Sequence, residues 1–139
     1  DQRVRMAIEF RHADWFGGGR DAEAGFRLLE EHGTVAILTD VAGRRDVLHQ
    51  RLTTPTVFIR FVGNAHHPSD FTRLDKWTER LRSWADAGLR EAHFFLHEPN
   101  DHLTVELAEH WVPRLNEALG LELPRIERPA PLPEQGSLF

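Results

Sequence analysis

Four short apolar runs, each interrupted or closed by charged residues, constrain this chain more than any other feature. They fall at residues 4–12, with Glu9 inside and Arg11 and His12 at the end, at 34–40, ending in Asp40, at 56–63, with Arg60 inside, and at 91–98, closing on His97 and Glu98. Such runs read as strands buried on both faces. The long connections between them favour parallel pairing with right-handed crossovers. A buried strand carries Glu or Arg where the charge is paired or does chemistry. The C-terminal ends of parallel strands are where α/β proteins gather their sites.

Helical periodicity fills two of the gaps and the stretch after the last strand. Residues 22–32 form a helix capped by Asp21, with Phe26, Leu28 and Leu29 on its apolar face and Gly33 after it. Ser69 or Asp70 caps a second helix reaching residue 87, whose stripe of Leu74, Trp77, Leu81 and Trp84 steps by three, four and three. A third, over 103–119, carries Leu107, Trp111 and Leu115, and Pro113 predicts a kink in it. Residues 42–55 are polar and read as a loop with at most a short helix. The fold class is therefore α/β, built from about four βα units.

The 139 residues suit one domain, and 40% hydrophobic with 28% charged residues suits a globular one. A net charge of −5 creates no general attraction to nucleic acid or anionic lipid. The absence of cysteine excludes disulfides and thiolate metal sites. No apolar run approaches a membrane span and no signal peptide opens the chain, so a cytoplasmic location is expected. The chain starts at Asp1 and enters a strand almost at once, which reads as a chain that has lost its beginning. From Pro124 the composition shifts: four prolines in the last 16 residues predict an extended tail. The domain division is thus 1–123 and 124–139.

Several pieces together resemble the C-terminal half of the YecE-like family, the proteins of domain of unknown function seventy-two. They are EFRHADWF at 9–16, LTD at 38–40, FIRFVG at 58–63, the Lys76-Trp77 and Arg82–Trp84 positions, and AHFFLHEPN at 92–100. Val62 departs from the family's usual His, and LHE at 96–98 from a usual F-N-N. The resemblance implies a TIM-type (β/α)8 barrel of which this chain supplies strands five to eight, and it names no substrate. Four strands alone leave two open edges and half a lumen. A missing N-terminal half, or a homo-oligomer, is then needed to complete the fold.

Within that frame, Glu9 and Arg11 share one strand face by alternation, and Arg60 faces the same lumen. They read either as a buried ion-pair network or as an anion site, since Arg grips phosphate and carboxylate bidentately. Glu9, Asp40 and His97 are the candidate catalytic groups, as acid, base or ligand. Arg11, Arg60, His12 and Trp15 are the candidate substrate- or anion-binding groups. For Asp40 the plainer alternative is a turn or cap residue, and for Trp15 a cover over the end of the barrel. His97, Glu98, Asp101 and His102 offer donor types for a divalent metal such as Zn or Mn, at a spacing that matches no recognised motif. His12 and Asp14 could add ligands. His66 and His67 read as a solvated loop.

The tail is a separate clue. QGSLF at 135–139 resembles the bacterial sliding-clamp-binding peptide Q-L-[SD]-L-F, with Gly136 in place of the first Leu. Gln135, Leu138 and Phe139 would be the clamp-binding residues, presented by the proline-rich lead. The alternative is a tail whose Leu-Phe packs back on the body. Two functions are expected from these signals, beside a third, a sugar- or small-acid enzyme of the same barrel. One is a hydrolase of phosphoester or nucleic-acid-related substrates, with DNA as a partner. The other is a non-catalytic adaptor recruited to the DNA sliding clamp.

Overall fold

A computed structural model describes residues 4–127. In chain order it contains β1 (Ala7–Ile8), α1 (Arg20–Glu31), β2 (Val35–Ala36), β3 (Leu38–Val41), β4 (Thr56–Val62), α2 (Pro68–Asp86), β5 (Glu91–His97) and α3 (Asp101–Leu119), with short 3-10 turns at Ala13–Trp15 and Arg45–Val47. Every strand pairing is parallel: β1 with β2, then β3 with β4 and β4 with β5.

β2 and β3 are the two parts of the single run expected at 34–40, interrupted at Ile37. β2 pairs with β1 and β3 pairs with β4. Side chains from the 42–55 loop serve the backbone between them. Ala36 N–H donates to Thr53 Oγ1 at 2.9 Å, and the Ile37 carbonyl accepts from His49 Nε2 at 3.1 Å. The spatial order of the strands therefore follows the chain, and α2 and α3 pack on one face of the sheet.

Alternation along the strands makes that face. Leu38, Val57, Ile59 and Phe61 are buried against Leu74, Trp77 and Leu81 of α2 and Leu107, Trp111 and Leu115 of α3. Trp111 keeps its polar edge satisfied in this core by donating from Nε1 to the Leu74 carbonyl and Thr78 Oγ1, at 2.9 and 2.8 Å. A smaller cluster of Phe26, Leu29 and Ala36 seats α1, with Ile8, Phe10 and Phe16 packed on it. The opposite face has no helix over it among the described residues. There Phe58 and Phe95 stack with ring centres 4.5 Å apart, and Phe95 stays 52% exposed.

Local details differ from the sequence expectations. β1 is much shorter than 4–12: among the described residues it pairs only with β2, which is two residues long. Asp21 lies in the first turn of α1, where its charge meets the helix dipole, and the N-cap is Gly19. α2 is capped by His67, whose Nδ1 accepts from Ser69 N–H at 3.2 Å, so this histidine has a structural task. Leu28, expected on the apolar face of α1, is 53% exposed. α3 runs unbroken through Pro113 and is closed by Gly120, whose φ of 63° lies in the left-handed region that favours glycine.

Candidate functional site

The site is built by the same alternation. On β4, Ile59 and Phe61 point into the core, so Arg60 and Val62 point to the open face. On β3, Leu38 points into the core, so Asp40 does too, and Thr39 joins Arg60 on the open face as its register partner. His97 on β5 is the register partner of Val62. Past the end of β1, Glu9 and Arg11 reach the same place. Together with Arg44 these side chains line a hollow of ≈ 360 Å³ at the C-terminal end of the sheet, with Val41 and Val62 as apolar walls.

Glu9 is the electrostatic centre of that hollow. Its Oε1 accepts from Arg60 Nη2 at 2.9 Å and from Arg11 Nε at 3.2 Å. Arg60 reaches it across the strand that carries Thr39. Burial of the Glu9 carboxyl pushes its pKa up, but the Arg60 and Arg11 guanidiniums outweigh burial and hold it below the ordinary value. Glu9 is therefore ionised at neutral pH and suits a base, a nucleophile or a ligand better than a proton donor. Arg44 donates to the Arg11 carbonyl at 3.3 Å and to both oxygens of Asp46, which ties the rim of the hollow to the loop after β3.

Of the residues expected to act together, the fold joins Glu9, Arg11, Arg60 and His97 and sets the others apart. Asp40 is 2% exposed on the helix-packed side. There it accepts from Arg45 Nη1 at 2.5 Å, Arg73 Nη2 at 2.8 Å and Trp77 Nε1 at 2.7 Å. Trp15 stacks on Phe10 at 4.3 Å and covers Gly25, where a Cβ would come within 2.7 Å of the indole. His12 is exposed and accepts from Asp14 N–H at 3.4 Å through Nδ1, outside the lining of the hollow. Gln135, Leu138 and Phe139 lie outside the described residues.

Glu98 is also committed. It is fully buried and accepts from the backbone N–H groups of Ala65 and His66 at 3.0 and 3.4 Å. Asp70 holds the next amide, Asn64 N–H, at 2.8 Å. These two carboxylates fix a tight loop in which Ala65 and His66 have φ of 51° and 60°. Gly63 opens that loop because a Cβ there would lie 2.1 Å from Glu98 Oε1. Among the described residues no group of three or more His, Cys, Asp or Glu is placed to hold a metal ion.

Sequence reasoning missed Thr39 and Arg44 as lining residues. Thr39 was recoverable: in Leu38-Thr39-Asp40, a core-facing Leu38 forces Asp40 to the same side and leaves Thr39 facing Arg60. Arg44 carried no signal, since its position depends on the path of a loop.

Relatives agree with this architecture. The family model described as "Protein of unknown function DUF72" matches residues 1–133. The UPF0759 protein YecE of Escherichia coli strain K12 is 27% identical over 150 residues, covering 95% of this chain and 53% of the relative, and the protein of strain O157:H7 matches equally. A crystal structure of a DUF72 family protein from Enterococcus faecalis V583 superposes with a TM-score of 0.61 at 14% identity, over 93% of this chain and 52% of that one. The chain thus spans about half the length of the curated relatives it matches. With a parallel α/β fold shared with that structure and a family model covering nearly all of its length, the chain belongs to the DUF72 family.

Proposed function

We propose that this chain forms four βα units of a (β/α)8 barrel whose C-terminal mouth binds an oxyanion, and that the site hydrolyses a phosphoester or nucleic-acid-related substrate. Three features support the barrel: strands that succeed one another in chain order, helices on one face, and relatives about twice as long. At the other end of the open face, Arg5 pairs with Glu91 and so links the first strand to the last. The helix-free face would be half the lumen, completed by a further barrel half or a second copy.

The observation that carries the functional reading is the Glu9–Arg60–Arg11 cluster in a hollow at the strand ends. Two guanidiniums supply the charge and the bidentate donors for a phosphate. Glu9, held ionised, is the base or ligand, and His97 on the facing strand is the partner for proton transfer. Asp40 serves this reading from behind the sheet, by holding Arg73 and Trp77 and thereby the end of β3. The test is a titration of the intact protein with inorganic phosphate, together with turnover of a chromogenic phosphodiester. Saturable binding that Arg60→Gln abolishes supports the reading; binding indifferent to Arg60 refutes it.

The adaptor reading rests on the sequence of residues 135–139. It expects capture by immobilised sliding clamp that is lost on deleting those residues, with no phosphodiester turnover.

A further inference from the structure

The hollow contains two polar groups without a hydrogen-bond partner among the described residues. Thr39 is 5% exposed and its hydroxyl has none; Arg60 has none for Nε. Buried donors normally find acceptors, and an unsatisfied pair needs a reason. These two are neighbours: Thr39 and Arg60 are register partners on adjacent strands, with side chains leaving the same face. Glu9 meanwhile holds Nη2 of the same guanidinium.

We propose that Arg60 and Thr39 form a subsite for one oxyanion group, phosphate or carboxylate, and that Glu9 stands in there as an internal anion which the ligand displaces. This deepens the functional reading above and rests on it. The Glu9–Arg60 bridge spans the strand that carries Thr39, so Arg60 must swing off Glu9 before the Thr39 hydroxyl is reachable. The entering oxyanion then accepts from Arg60 Nε and from Thr39 Oγ1, which satisfies both orphaned groups. It also takes from Glu9 the guanidinium that held it ionised and puts a negative charge beside it. The other charged or titratable groups facing Glu9 are Arg11 on its own segment, Arg44 on the loop after β3 and His97 on β5. Loss of Arg60 to the ligand outweighs them because it both removes a cation and adds an anion. Glu9 therefore binds a proton more readily in the complex than in the free protein, and the ligand itself converts it from an ion-pair partner into a base.

The experiment is calorimetric titration of the intact protein with inorganic phosphate at about pH 5, near the ordinary carboxylate range, in two buffers of different ionisation enthalpy. Wild type is expected to bind phosphate and take up protons on binding. Thr39→Val keeps the side-chain shape and removes the hydroxyl, and is expected to weaken binding about 5–10-fold, the usual size for one lost hydrogen bond. Thermal unfolding of this variant is expected to stay at or above the wild-type midpoint, because an unsatisfied hydroxyl is gone. Glu9→Gln is expected to bind phosphate more tightly than wild type and without proton uptake. Equal affinity of Thr39→Val and wild type overturns the subsite, and weaker binding by Glu9→Gln overturns the displacement. If wild type binds no phosphate, the functional reading falls too; if binding needs Arg60 but ignores Thr39, this inference falls alone.

Discussion

Asp40 lies near the end of β3 and Glu9 just past the end of β1, and each carboxylate is paired with two arginines, yet the two sides of the sheet put them to opposite use. Asp40, on the helix-packed side, is saturated: Arg45, Arg73 and Trp77 all donate to it. Glu9, on the open side, holds Arg60 and Arg11 while an adjacent hydroxyl and a guanidinium N–H stay without partners among the described residues. A saturated buried ion pair is a structural device; an unsaturated one, opening into a hollow, has capacity left for a ligand. Residue type does not distinguish the two cases. What surrounds the carboxylate does.

Asp40→Ala carries the largest expected effect. It takes from Arg73, which is 11% exposed, one of its carboxylate partners and leaves it Asp70. Chemical denaturation is expected to show a loss of about 3–5 kcal/mol, the usual cost of breaking a buried pair. A loss no larger than that of Glu9→Ala would put the two carboxylates in one class. Glu98 extends the saturated class, and Gly63→Ala tests it by driving a methyl group into its carboxylate. About 1–3 kcal/mol of destabilisation is expected, as for other overpacked sites.

On the open side the expected signature is reversed. Arg60→Gln abolishes phosphate binding but shifts stability by less than about 1 kcal/mol, because the pair is partly solvated. A stability loss matching that of Asp40→Ala would make Arg60 a core-building residue.

The smallest effects are in pH. Burial against Phe16 and Phe26 lowers the pKa of His49, and the Arg51 charge adds to this, although the Ile37 carbonyl favours the protonated ring. The unfolded chain then binds the proton more readily, so stability rises with pH up to about 6.5, the ordinary value, and is lost as pH falls below it. Denaturation midpoints from pH 5 to 7, about the ordinary histidine range, are expected to flatten in His49→Phe. Glu9, whose folded pKa is lowered, contributes stability above about 4.5 that is lost as pH falls through its lower folded value. Glu9→Gln is expected to remove that more acidic component and to leave the His49 component in place.

Much of the site was legible because β-strand side chains alternate with a period of two. That rule places Arg60 opposite Ile59 and Phe61 from the string TVFIRFVG alone, and it groups Glu9 with Arg11. The same rule, applied to Leu38-Thr39-Asp40, moves Asp40 into the core and brings Thr39 forward. An acid at a strand end drew attention away from a hydroxyl that carries no charge. His67 and Gly19 as helix caps, against Ser69 or Asp70 and Asp21, show the complementary weakness: several residues near a helix start can cap it, and the backbone path selects one.

By itself, the order of apolar runs and helical stripes in this sequence determined a parallel α/β chain, its core-facing residues and the clustering of charge at the strand ends, since these follow from local periodicity. Tertiary packing set the rest: Arg60 reaches across a strand to Glu9, Asp40 is saturated from behind by α2, and Thr39 is left without a hydrogen-bond partner among the described residues. Those outcomes depend on distances between residues 20 to 50 positions apart, set by strand register and loop path, which no local pattern encodes.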